Sequence, residues 1–250
     1  MNTRTCLLLC VMLLSAWQAK AEATSCSEKS AQTYLDNTYH SLHDLYGIPP
    51  ASPPQIVVHS ENLTVSDKDK TAIFGYFDSK TMTLHVNCNA VSINSLEISV
   101  GHEATHYYLD QAFGKLPLWL SEGLATYMEV GNNMDDGAAY KINKPRLEEF
   151  KGLLKHGRVP ALLEILNQNP YLNNPSQYYA SYWALVFSLM HHPINDTQQQ
   201  RRRLLLDLLN DPDHDLKKLN NQLIHGLVKD ETSTPDDWEL AWRRQIWDLN

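Results

Sequence analysis

The sequence predicts an α+β fold: a small β-containing N-terminal lobe, a central helix and a mostly helical C-terminal lobe. Three observations predict it. Short β-branched or alternating runs occur only before residue 90, and a stretch with capping signals and an apolar face follows them. Beyond that stretch, nearly every segment repeats its apolar residues at helical spacing between Pro or Gly punctuation. The lobes are expected at about 22–112 and 113–250, within one domain.

The first 21 residues are expected to be a signal peptide. Arg4 precedes an apolar run from Cys6 to Trp17, and Ala19-Lys20-Ala21 is a small-x-small cleavage pattern. The run is too short to span a bilayer. Cleavage after Ala21 gives an exported chain, periplasmic or extracellular, with no stable membrane anchor. Losing Arg4 and Lys20 leaves 19 basic residues against 29 acidic ones, a net charge near −10 with histidines neutral. That balance excludes nucleic acid as a partner, because phosphate binding needs clustered Lys and Arg. The one basic cluster, Arg201-Arg202-Arg203, runs straight into Leu204-Leu205-Leu206 and reads as the solvated turn of an amphipathic helix. Of four cysteines, Cys26 and Cys88 remain after cleavage, and an even pair in an exported chain is expected to form a disulfide.

Ser30 to Tyr46 carries apolar residues at helical spacing and stops at Gly47. Pro49-Pro50-Ala51-Ser52-Pro53-Pro54 forbids regular structure. Residues 55–60, 72–77 and 82–87 read as strands, the last two joined by the turn Asp78-Ser79-Lys80-Thr81 into a hairpin. Either an ordinary covering sheet or an edge that accepts an extended peptide fits these runs. Asn94 is expected to cap the central helix, and Gly114 to end it. Helices are then expected from Pro117, Lys144, Pro160, Pro175, Thr197, Leu216 and Pro235.

Inside the central helix lies His102-Glu103-Ala104-Thr105-His106, a His-Glu-x-x-His pattern. Histidines four apart on a helix lie about 40° apart around the axis and one turn apart in height, so both rings can reach one metal ion. Glu103, displaced by about 100°, can face the reacting water instead. Fifteen residues separate His106 from Glu122, which lies within Pro117-Leu-Trp119-Leu-Ser-Glu122-Gly123-Leu-Ala125. Its apolar neighbours place the carboxylate in or near the core, where it needs a partner such as a metal. Gly123 costs about 1 kcal/mol against Ala in a helix, and its use would be the close approach of another helix.

These two linked blocks resemble the gluzincin clan of zinc metallopeptidases, in particular its compact peptidase-MA-like families. Weaker similarity extends to Gly75-Tyr76-Phe77-Asp78 and to Tyr179 through Leu189. The resemblance implies a zincin-like fold with one Zn²⁺ held by His102, His106 and Glu122. It also implies Glu103 as general base toward a zinc-activated water, and a peptide or protein substrate. A tyrosine on a later helix would stabilise the oxyanion; the spacing best matches Tyr179, with Tyr178 and Tyr182 as rivals. Thr126 stands where thermolysin-like relatives carry an orienting Asp, and Asp110 is an alternative for orienting an imidazole. The chain lacks the Gly-x-Met-Glu-Asn segment that binds a free N-terminus in large aminopeptidases, which favours an endopeptidase. The competing functions are a zinc-binding scaffold and a zinc amidase acting on cell-wall peptides.

Overall fold

The computed structural model describes residues 26–47, 52–60, 75–88, 93–130, 142–167, 175–191, 205–211 and 234–249, with 218, 220, 221, 223 and 224. The signal-peptide assignment and the Arg201–Arg203 cluster lie outside these residues. Among them the fold is α+β, mostly helical, with one three-stranded sheet.

Helix α1 (Glu28–Tyr46) starts at Ser27, whose side chain accepts from the Ser30 N–H, and ends at Gly47 with φ of 66°. Only glycine adopts that left-handed turn without steric cost. Its buried face, including Ala31, Leu35, Leu42 and Leu45, packs against α2 (Ile93–Phe113). A disulfide between Cys26 and Cys88 ties the start of α1 to the end of the sheet, as the pairing of cysteines led one to expect.

The sheet holds β1 (Gln55–His59), β2 (Gly75–Asp78) and β3 (Thr83–Asn87) in the order β1-β3-β2. The expected hairpin is present, β2 pairing antiparallel with β3 while β1 runs parallel to it. Asp78 closes the turn by accepting from the Lys80 N–H and the Thr81 hydroxyl. Ile56, Leu84 and Val86 are buried on the face toward α2, and Phe77 meets Tyr107 of α2 edge-on. Strand β2 therefore forms an edge of the sheet beside α2.

Helix α2 is described from Ile93, and the expected capping contact of the Asn94 side chain lies outside what the structure describes. Gly114, with φ of 70°, donates its N–H to the Asp110 carbonyl and ends α2 as expected. Then follow α3 (Leu118–Met128), α4 (Lys144–Lys155), the short α5 (Leu162–Leu166), α6 (Pro175–His191) and α7 (Pro235–Trp247). Residues 205–209 are also helical.

Helix α6 is apolar on all sides, with Ala180 and Trp183 to Phe187 fully buried, as befits a helix surrounded by others. Its closest partner is α3. A Cβ on Gly123 would stand 2.6 Å from Val186 Cγ2 and 2.9 Å from the Tyr182 carbonyl oxygen. Gly101 does the same for α2 against α3, where a Cβ would lie 2.9 Å from the Met128 carbonyl oxygen. Two glycines thus set the spacing of three helices. The Trp119 indole donates to Asn220, closing the buried polar surface of α3.

Gly123→Ala is expected to destabilise the protein by about 1–3 kcal/mol, since the added methyl meets backbone that cannot yield. Gly152→Ala in α4, where a Cβ meets nothing within 4 Å, is expected to stabilise by about 0.5–1 kcal/mol. Denaturant midpoints of the two variants should move in opposite directions.

Candidate metal centre

Helices α2 and α3 cross where Gly101 lets them approach, and that crossing assembles the site. His102 and His106 project from successive turns of α2, while Ser121 and Glu122 project from α3. His102 Nε2 and His106 Nε2 are 3.2 Å apart, and Glu122 Oε2 is 3.4 Å from the first and 3.5 Å from the second. Among the described residues this is the group of His, Cys, Asp or Glu close enough to hold a metal ion. Ligands about 2.0–2.1 Å from a tetrahedral ion stand about 3.3–3.4 Å from one another. The three atoms already keep that separation, and Glu122 Oε2 is buried without a well-formed hydrogen bond. A single cation fits the triangle and satisfies the orphaned oxygen.

The other ring nitrogens are fixed from behind. His106 Nδ1 lies 2.9 Å from the Ser121 hydroxyl, and His102 Nδ1 lies 3.1 Å from Glu129 Oε1. Glu129 is buried at 5 % exposure and is held in turn by Asn143 and Arg146. Asp110 does not orient an imidazole: it is exposed on α2, and both Nδ1 atoms are already engaged. Thr126 turns its hydroxyl back to the carbonyl oxygens of Glu122 and Gly123. The carboxylate missing at that position comes instead from Glu129, seven residues after Glu122 and so on the same helix face. That spacing was a usable signal in the sequence. Arg146 and Asn143, from the start of the next helix, carried none.

The charges are strongly coupled. Burial opposes a charged His102, yet its contacts with Glu122 and Glu129 lift its pKa to about 10. Burial would likewise raise Glu122, but the two imidazoles hold it far below the usual carboxylate range. Glu129 is held down to about 2 against burial by His102 and Arg146.

Glu103 stands outside the ligand triangle. Its Oε2 accepts from the Phe77 N–H at 3.0 Å, so the edge strand β2 fixes this carboxylate. A cleft of about 320 Å³ opens between β2, α2 and α3, lined by Phe77, Glu103, His106, Leu109, Leu116 and Glu122. A family model described as a protein of unknown function, DUF1570, matches residues 97–203, a span holding His102, Glu103, His106, Glu122, Glu129 and Arg146. No curated protein and no solved structure matches the chain.

The three tyrosines separate clearly. Tyr178 donates its hydroxyl to Glu164 of α5 at 2.7 Å, and Tyr182 is only 2 % exposed. Tyr179 is half-buried, its ring centroid 6.2 Å from that of His102. Burial, together with the charges of Glu122 and Glu103, pushes its phenol up to about 12. Of the three, Tyr179 is the one that borders the ligand triangle with a part-exposed ring.

Metal affinity should depend on pH with a definite sign. Without metal, His102 keeps its second proton until the pH nears 10, so a cation must displace it. The affinity for a divalent first-row cation is expected to rise about tenfold per pH unit between 6 and 8, as read by chelator competition. An affinity flat over that range would contradict the coupling.

Proposed function

We propose that the protein is an exported zinc-dependent peptidase of the gluzincin type, acting on extended peptide substrates as an endopeptidase. The observation that carries this reading is the position of Glu103: a carboxylate that touches no ligand, held by an edge strand, next to a triangle of two imidazoles and a carboxylate sized for one ion. A site meant only to store a metal has no need for that carboxylate. The disulfide supports export, since such bonds persist in oxidising compartments.

Two neutral nitrogens and one oxygen suit Zn²⁺ and leave a coordination position open. Zinc, when bound, supplies Lewis acidity toward the scissile carbonyl and the attacking water. Glu103 removes a proton from that water and returns it to the departing amine. Tyr179 donates a hydrogen bond to the carbonyl oxygen as negative charge develops there. Strand β2 is an edge strand among the described residues, along which an extended peptide can lie, with Phe77, Leu109 and Leu116 as apolar walls.

Glu103→Gln is expected to retain zinc at close to native affinity and lose about 10²–10⁴-fold in hydrolysis. Tyr179→Phe should lower kcat by about 10²–10³-fold with little change in KM. The assay is mass-spectrometric product identification from a proteome-derived peptide digest, with cell-wall fragments as a parallel arm. Cleavage of wall fragments alone would move the substrate to a cell-wall amide. Zinc binding without cleavage of either would make the protein a binding module.

A further inference from the structure

Arg146 reaches two parts of the site at once. Its Nε and Nη2 donate to Glu129 Oε2 and Oε1 at 3.2 Å and 2.9 Å, a two-pronged contact, and Nη1 reaches Glu149 at 3.3 Å. Its Cζ lies 5.6 Å from the centroid of the Tyr179 ring, within cation–π range. Asn143, which caps α4 by accepting from the Arg146 N–H, adds a 2.8 Å contact to Glu129 Oε2. The first turn of α4 therefore grips the carboxylate that grips His102.

We propose that Arg146 is a positioning residue that couples the metal centre to Tyr179: one guanidinium holds Glu129 against His102 Nδ1 and seats the Tyr179 ring beside the ligands. The inference rests on the metal-centre reading above and deepens it. A ligating His102 must carry its proton on Nδ1 and present Nε2 as the bare nitrogen. Glu129 enforces that tautomer by accepting at Oε1, and Arg146 and Asn143 hold Glu129 in place. Each guanidinium nitrogen of Arg146 donates to a carboxylate, which ties the group to Glu129 and Glu149 beside the Tyr179 ring. Lysine cannot substitute fully, because a point charge cannot reproduce the planar fork or its stacking.

The test uses zinc affinity by chelator competition and ¹⁹F NMR of protein labelled with fluorotyrosine, the Tyr179 resonance being identified by its absence in Y179F. R146M is expected to weaken zinc binding about 10–100-fold, and R146K by less. Adding R146M to E129Q should cost nothing further, because the arginine acts through Glu129. The Tyr179 resonance of the metal-free protein should move in R146M while the other tyrosine resonances stay. R146K retains the charge and reads the same effects should R146M melt early. Native zinc affinity in both variants, full additivity with E129Q, or an unmoved Tyr179 resonance would overturn the proposal. Neither measurement needs a substrate: a protein that binds zinc and cleaves nothing defeats the peptidase reading alone, whereas a wild type that binds no zinc defeats both.

Discussion

Glu122 Oε2 lies out of water, 3.4 Å and 3.5 Å from two imidazole nitrogens and without a well-formed hydrogen bond. Removing a carboxylate from water costs several kcal/mol, even after relaxation. A fold can keep such a group only if opposite charge is fixed close by, and much of this architecture serves that end. Gly101 and Gly123 let α2, α3 and α6 approach until the side chains of α2 and α3 meet. In the metal-free protein the compensating charge is the proton on His102; a cation bound to this group would replace it. The same electrostatic demand is thus met by a proton or by a metal, which makes metal affinity and pH inseparable here.

The order around the triangle extends outward in layers of decreasing constraint. Each imidazole has its far nitrogen engaged, one by Ser121 and one by Glu129. Glu129 has both oxygens filled by Asn143 and Arg146 in addition to His102. These contacts join α2, α3 and the first turn of α4, so the ligands inherit the rigidity of three helices. Glu103 is attached differently, to the backbone of an edge strand by one hydrogen bond. That attachment leaves its carboxylate accessible from the cleft while His102, His106 and Glu122 are held from behind, a division that suits the general base of the peptidase reading.

Much of this was legible in the sequence because helical spacing converts directly into geometry. His102 and His106 at i and i+4 can only share a face, and Gly123 inside an apolar helix signals a close neighbour, here α6. The hairpin was readable from its turn, and the disulfide from an even count of exported cysteines. The outer shell was not legible for a physical reason. Glu129 does share a face with Glu122, but nothing in one strand of text says which helix that face meets. Arg146 and Asn143 reach it only because α4 returns to the end of α3, a tertiary fact with no local periodicity. Asp110 was the plausible orienting carboxylate by proximity in sequence, yet it is exposed on α2, and the Nδ1 atoms of both imidazoles are engaged by Glu129 and Ser121.

The choice among the three tyrosines shows how packing resolves what spacing leaves open. Tyr178, Tyr179 and Tyr182 all lie within about one turn and a half of α6, so sequence alone separates them by little more than 100° steps. Packing then assigns each a different environment: Tyr178 a hydrogen bond to Glu164, Tyr182 near-complete burial beside Tyr178, and Tyr179 the border of the triangle. A phenol serves as an oxyanion donor only while it stays protonated and part-exposed, and Tyr179 combines both conditions. Its ring is also the one that the Arg146 guanidinium faces. Under the peptidase reading, the residue that orients a ligand and the residue that places the oxyanion donor would therefore be the same arginine. Loss of order on one side of the cleft would then be felt on the other.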